Sequence, residues 1–131
     1  MDRRSFFSRL GALCGGVLVS APAVAQAAPK QRIELQRSAV AGFQYHDGEK
    51  LWASLRIGDA LTLAREADNV YDKRAVRVDW HGRKLGYVPR LDNASVSHLL
   101  DSGVPLEIEI VSLRESVNPW DRIGLAVHLI V

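Results

Sequence analysis

Toward the end of this 131-residue chain, apolar and polar residues alternate one for one. Leu106, Ile108 and Ile110 alternate with Glu107 and Glu109, and Ile123, Leu125, Val127, Leu129 and Val131 recur at every second position. In an extended chain successive side chains point to opposite faces, so this period gives strands with one dry face and one wet face. The same alternation recurs upstream, where Val76, Val78 and Trp80 are interleaved with Arg77 and Asp79. His81-Gly82-Arg83-Lys84 reads as the turn of a hairpin. Leu85, Gly86, Tyr87 and Val88 form the return, and Pro89 stops it because proline cannot donate to a ladder.

The rest of the chain fits around these strands. Ile33 to Phe43 is expected as a first strand, with Val40, Gly42 and Gln44 on one side and Ala41, Phe43 and Tyr45 on the other. His46-Asp47-Gly48-Glu49 reads as a turn, and Leu51, Trp52, Leu55 and Ile57 form an apolar run whose period settles neither helix nor strand. After a Gly58-Asp59 turn, Leu61 to Glu66 reads as a strand with Leu61 and Leu63 inward, followed by a polar loop from Ala67 to Lys73. A short helix is expected from Asp92 or Asn93 to about Asp101, with Val96, Leu99 and Leu100 as its apolar stripe and Gly103 in the stop position. Asn118-Pro119-Trp120-Asp121 is a further turn. The expected fold is mainly β: a small, closed or half-open barrel of about six strands with one or two short helices.

Residues 1–27 read as an export signal and not as fold. A basic head, Arg3-Arg4-Ser5-Phe6-Phe7-Ser8-Arg9, precedes an apolar run from Leu10 to Ala25 that is diluted by Gly11, Gly15 and Gly16. Ala25-Gln26-Ala27 supplies the small residues a signal peptidase requires, so cleavage is expected before Ala28. The run is shorter than the roughly 20 residues needed to cross a bilayer, so no membrane association is expected after cleavage. The arginine pair and Phe6 resemble a twin-arginine signal, which would carry the protein across the inner membrane already folded. The expected location is periplasmic or exported, or cytoplasmic if the signal is inactive. The single cysteine, Cys14, lies inside this segment, which excludes a disulfide framework and a cysteine-cluster zinc site. Without residues 1–27 the chain keeps 14 basic and 14 acidic side chains, hence no formal net charge. Nucleic-acid binding driven mainly by phosphate contacts goes with an excess of positive charge. Any such binding here must come from a local patch or a pocket.

Signals for catalysis are few. There is no Gly-rich phosphate loop and no Gly-x-Ser-x-Gly elbow. Ser95 and His98 lie three apart on the expected helix, but no third group is placed to orient the imidazole. His46, His81, His98 and His128 are scattered without metal-ligand spacing and read as turn or surface residues. The expectation is a non-catalytic binding domain without cofactor or metal. The loop Asp68-Asn69-Val70-Tyr71-Asp72-Lys73-Arg74 stands apart, because it gathers an amide, an aromatic ring and a carboxylate between two strands. Lys73, Arg74, Arg77, Arg83, Lys84 and Arg90 cluster in and around the hairpin that follows. Such a loop can brace itself through Asp72. It can also line a pocket, where an aromatic face stacks a base and a carboxylate accepts from a ligand hydroxyl.

Three segments, in order, carry a resemblance: Val40-Ala41-Gly42-Phe43-Gln44-Tyr45, Asn69-Val70-Tyr71-Asp72-Lys73-Arg74-Ala75-Val76-Arg77-Val78 and Leu85-Gly86-Tyr87-Val88-Pro89. With the strands around them they span roughly Arg32 to Val131, and residues 28–131 resemble a HIRAN domain. The resemblance implies an OB- or SH3-like β-barrel that binds DNA. Members in fork-remodelling enzymes hold the 3′-hydroxyl end of single-stranded DNA. By that likeness Asp72 would accept from the terminal hydroxyl, and Tyr45 and Tyr71 would flank the last nucleotide. Asn69 would help place it and Arg90 would meet a phosphate. Four positions depart from the pattern. Gln44 replaces a basic residue, Val70 a common proline, Arg74 a common asparagine, and Tyr87 the histidine of helicase-linked members. Losing a basic residue removes a phosphate contact and flattens the salt dependence. Two functions are therefore expected as alternatives. One is a module for single-stranded DNA ends, with ligand contacts from Tyr45, Asn69, Tyr71, Asp72, Tyr87 and Arg90. The other is an exported envelope module that binds a protein or a small polar ligand through the same pocket.

Overall fold

Six antiparallel strands form a single sheet in this computed structural model, which describes residues 31–131. The expected export segment, its cleavage point before Ala28, and Cys14 lie outside the described residues. In chain order the strands are β1 (Arg32–Ala39), β2 (Ala60–Arg65), β3 (Val76–Trp80), β4 (Arg83–Tyr87), β5 (Leu106–Leu113) and β6 (Ile123–Ile130). Two helices accompany them, α1 (Gly48–Leu51) and α2 (Asn93–Asp101), with 3-10 turns at Phe43–Tyr45, Trp52–Ser54, Arg90–Asp92 and Pro119–Asp121. The order across the sheet is β1-β6-β5-β2-β3-β4. No described helix is long and apolar enough to cross a membrane.

The alternating positions make the core. Val76, Val78, Leu85, Ile108, Ile110, Leu125 and Val127 are buried on the inner face, and Val40, Phe43, Leu55 and Val96 fill in against them. The hairpin turn is tighter than expected. His81 (φ 49°) and Gly82 (φ 77°) alone make it, and Arg83 and Lys84 belong to β4. Two positive-φ residues give the backbone twist that matches paired strands. The β3–β4 register shifts between Val78 and Asp79, with Leu85 as the extra residue on β4. Asp79, expected on the wet face, is buried there with its Oδ2 accepting from Arg77. A second shift between Glu34 and Gln36 leaves Ile33 and Leu35 exposed on β1.

The region from 40 to 57 departs most from expectation. The first strand stops at Ala39, because Gly42 takes a left-handed conformation (φ 74°) and starts the 3-10 turn at Phe43–Tyr45. The two-sided pattern expected across 40–45 therefore fails: Phe43 is fully buried and Tyr45 is 78% exposed. The expected turn at 46–49 runs into α1, and the ambiguous apolar run is helical only as far as Ser54, Leu55 being extended. Leu51 and Leu55 are both buried.

The ladders do not close the sheet into a barrel. Its two outer parts meet at one antiparallel bridge just beyond β1, where Ala41 and Tyr87 exchange N–H···O bonds of 2.8 and 2.9 Å. Gly86 makes that approach possible, because a Cβ there would lie 2.2 Å from the Ala41 carbonyl oxygen. This is the half-open form of the expected barrel.

Candidate functional site

A cavity of about 510 Å³ opens where the two parts of the sheet meet. Ala41, Gly42, Tyr45 and His46 line it from the segment after β1, and Tyr87, Val88 and Arg90 from the segment that ends β4. Asn69, Tyr71, Asp72 and Ala75 line it from the β2–β3 loop. All six residues singled out from the sequence, Tyr45, Asn69, Tyr71, Asp72, Tyr87 and Arg90, are brought together here. The tryptophans stand elsewhere. Trp52 packs edge-on against Phe43, Trp80 donates through its ring N–H to Asp59, and the half-exposed Trp120 lines a separate groove.

Asn69 shapes the loop. Its side-chain oxygen accepts from the backbone N–H groups of Tyr71 (2.8 Å) and Asp72 (3.1 Å), an Asx turn, and its Nδ2 donates to Glu66. That turn leaves the Tyr71 ring 84% exposed beside the cavity, with Tyr45 similarly bare. Arg90 donates to the Tyr71 carbonyl oxygen and ties the loop tip to the segment before α2.

Asp72 is held on both oxygens. Oδ1 accepts from the Arg74 N–H at 2.9 Å, and Oδ2 accepts from Asn93 Nδ2 at 2.8 Å. The Arg90 guanidinium lies 3.9 Å from Oδ2. Burial pushes the carboxyl up, but those two donors and the charges of Arg90 and Arg74 together outweigh it, and the group stays below its ordinary range. It is a carboxylate at neutral pH, with acceptor capacity left on each oxygen.

Tyr87 is fixed through its hydroxyl. The O–H donates to Glu66 Oε1 (2.8 Å) and accepts from Lys84 Nζ (2.7 Å). Burial raises the Glu66 carboxyl, while hydrogen bonds from Tyr87 and Asn69 and the charges of Lys84 and Arg77 bring it below its usual value. The His46 ring meets Tyr87 edge-on at 5.8 Å. Burial first, and the Lys84 charge second, lower its pKa, so the imidazole is neutral at pH 7.

His46, Glu66 and Asn93 are participants the sequence reading missed, and Lys84 figures there only as one of the hairpin's basic cluster. His46 and Lys84 read as turn residues and Glu66 as the end of a strand. Asn93 read as a helix cap, yet it is fully buried and makes no capping bond. Its spacing held a usable signal: positions 93, 96, 97 and 100 share one helical stripe, the one that holds Val96 and Leu100. Ser95 and His98 both face solvent on α2. Among the described residues no group of three His, Cys, Asp or Glu is placed to hold a metal.

A family model described as HIRAN domain matches residues 33–130. The chain belongs to the HIRAN domain family. HIRAN domains are nucleic-acid-binding modules, and the six-stranded sheet is their fold. A crystal structure of a protein from Lactobacillus plantarum is similar to this HIRAN chain at 28% identity with a TM-score of 0.67, covering 78% of this chain and 98% of that one. The HIRAN domain of human HLTF is similar in fold at 18% identity with a TM-score of 0.60, covering 76% of this chain and 78% of that domain. No curated protein matches this chain closely.

Proposed function

We propose that this HIRAN domain is a non-catalytic module that takes the 3′-hydroxyl end of single-stranded DNA into the cavity between β1 and β4. One observation carries this reading: an ionised carboxylate, held by two donors, lines the same cavity as two largely exposed tyrosine rings. Asp72 accepts from the terminal hydroxyl, and Tyr45 and Tyr71 stack on the last nucleotide, a contact that tolerates any base. Asn69 acts through the loop it folds. Tyr87, its hydroxyl taken up by Glu66 and Lys84, offers ring surface. Arg90 keeps guanidinium donors beyond the one given to Tyr71 and meets a phosphate with them.

Fluorescence anisotropy on residues 28–131 tests this, with short single strands ending in a 3′-hydroxyl or a 3′-phosphate over a salt series. The hydroxyl end is expected to bind more tightly. Asp72→Ala is expected to weaken it roughly ten- to a hundredfold, the cost of a hydrogen bond to a charged group. Arg90→Ala is expected to lower the salt slope by about 0.7, one phosphate contact on a single strand. Equal affinity for the two ends, unchanged in Asp72→Ala, would refute the assignment. The balanced charge of residues 28–131 and the signal-like residues 1–27 favour a second reading. In it the domain is exported and binds an envelope protein or a small polar ligand in the same cavity, and the absence of DNA binding at low salt would support it.

A further inference from the structure

We propose that Asn93 is the positioning residue for the Asp72 carboxylate. The proposal rests on the reading of the cavity given above and adds to it a residue that touches no ligand. Asn93 is fully buried at the start of α2, and its Nδ2 donates to Asp72 Oδ2 at 2.8 Å. Its Oδ1 has no partner among the described residues. A buried amide with one unanswered acceptor is costly to keep, and helix capping does not account for it, because Asp92 holds the cap position and Asn93 Oδ1 accepts from no backbone N–H. The carboxylate does account for it. Asp72 can only accept, so the amide must turn its N–H toward Oδ2, which leaves Oδ1 facing inward.

Two bonds then fix the Asp72 group. The Arg74 N–H from its own loop holds Oδ1, and Asn93 from α2 holds Oδ2. With one donor on each oxygen the carboxylate cannot rotate, and its remaining acceptor positions keep one direction. The charged groups that face it are Arg74 on the loop and Arg90 before α2, while His46 and Tyr87 line the same cavity. Without Asn93, Arg90 at 3.9 Å becomes the nearest donor to Oδ2 and is drawn from the Tyr71 carbonyl. Val96 at 0% exposure and the partly buried Leu100, on the same stripe, anchor the helix that carries Asn93.

The test uses Asn93→Leu, which keeps the branched shape at Cγ but has no donor and is bulkier, and Asn93→Ser, smaller and with its hydroxyl one bond too short. Three quantities are measured: thermal midpoint, affinity for a 3′-hydroxyl single strand, and the carbon-13 NMR titration of the Asp72 carboxyl. Both variants are expected to melt within a few degrees of the parent, bind about tenfold more weakly, and titrate Asp72 at higher pH. A purely structural Asn93 would instead lower the melting midpoint and leave the Asp72 titration unmoved, which overturns the proposal. A raised titration with unchanged DNA affinity also overturns it. If the parent protein binds no DNA end, the reading of the cavity fails, and the carboxyl titration alone decides whether Asn93 sets Asp72.

Discussion

Replacing Gly86 by alanine tests whether one bridge holds the two parts of the sheet together at the cavity. The new Cβ would sit 2.2 Å from the Ala41 carbonyl oxygen and 2.7 Å from Val40 Cγ1, and Gly86 has φ 157°, a conformation L residues rarely adopt. The first contact is with backbone, so the bridge must open. Opening it forfeits two hydrogen bonds at about 1 kcal/mol each. Forcing alanine to keep the conformation costs about 1–3 kcal/mol. The expected loss is about 3–5 kcal/mol, a large share of the roughly 5–15 kcal/mol that holds a domain folded. With a urea slope of about 1.5 kcal/mol/M, the midpoint should fall by roughly 2–3 M. The amides of Ala41 and Tyr87 should also lose hydrogen-exchange protection ahead of the β5–β6 core. Gly103→Ala is the control. It too has a positive φ (76°), but its Cβ would meet nothing within 4 Å, so it should cost only about 1 kcal/mol and leave those two amides protected. A Gly86→Ala midpoint matching that of Gly103→Ala would refute the steric argument.

Two further outcomes follow from charges at the cavity. The folded Glu66 carboxyl titrates below its unfolded value, so its contribution is complete above about pH 4.3 and is lost as pH falls through the folded value. Urea midpoints measured from pH 3 to pH 7 should show a shallower acid limb in Glu66→Gln, and identical limbs would sink the account. His46 should titrate by NMR below its ordinary value of 6.5, and it contributes stability that is lost as pH falls through that lower midpoint. Lys84→Met should bring the midpoint part of the way back, since burial, the larger cause, remains. A parent midpoint at or above 6.5 would contradict this.

Where side chains repeat strictly, the fold was legible from sequence. β5, β6 and the β3–β4 hairpin follow from period two, and α2 from Val96, Leu100 and the stop at Gly103. Legibility ended where one residue broke the period. Gly42 alone turned an expected strand into a 3-10 turn, and Asp79, on the face expected to be wet, is buried under its ion pair with Arg77. Neither break changes composition enough to show in a hydropathy pattern. The cavity was legible through the resemblance, because its residues come from three segments that only the sheet order brings together. Asn93 stayed hidden because an asparagine at a helix start has an ordinary local use, and its cross-chain bond to Asp72 spans 21 positions.

The sheet order also sets when the site comes into being. β1 is the first of the described strands in chain order, yet it lies in register only with β6, so Arg32 waits for Ile130. Contacts so distant in sequence delay folding, because a long loop must close before they bring any gain. The segment carrying Tyr45 and His46 takes its place only after that pairing, since Val40 donates to the Ile123 carbonyl and Ala41 bridges to Tyr87 just beyond β1. A nascent chain that stops short of Ile123 can form the β3–β4 hairpin, but it cannot assemble the cavity. The cavity is thus a property of the finished domain and of no fragment of it.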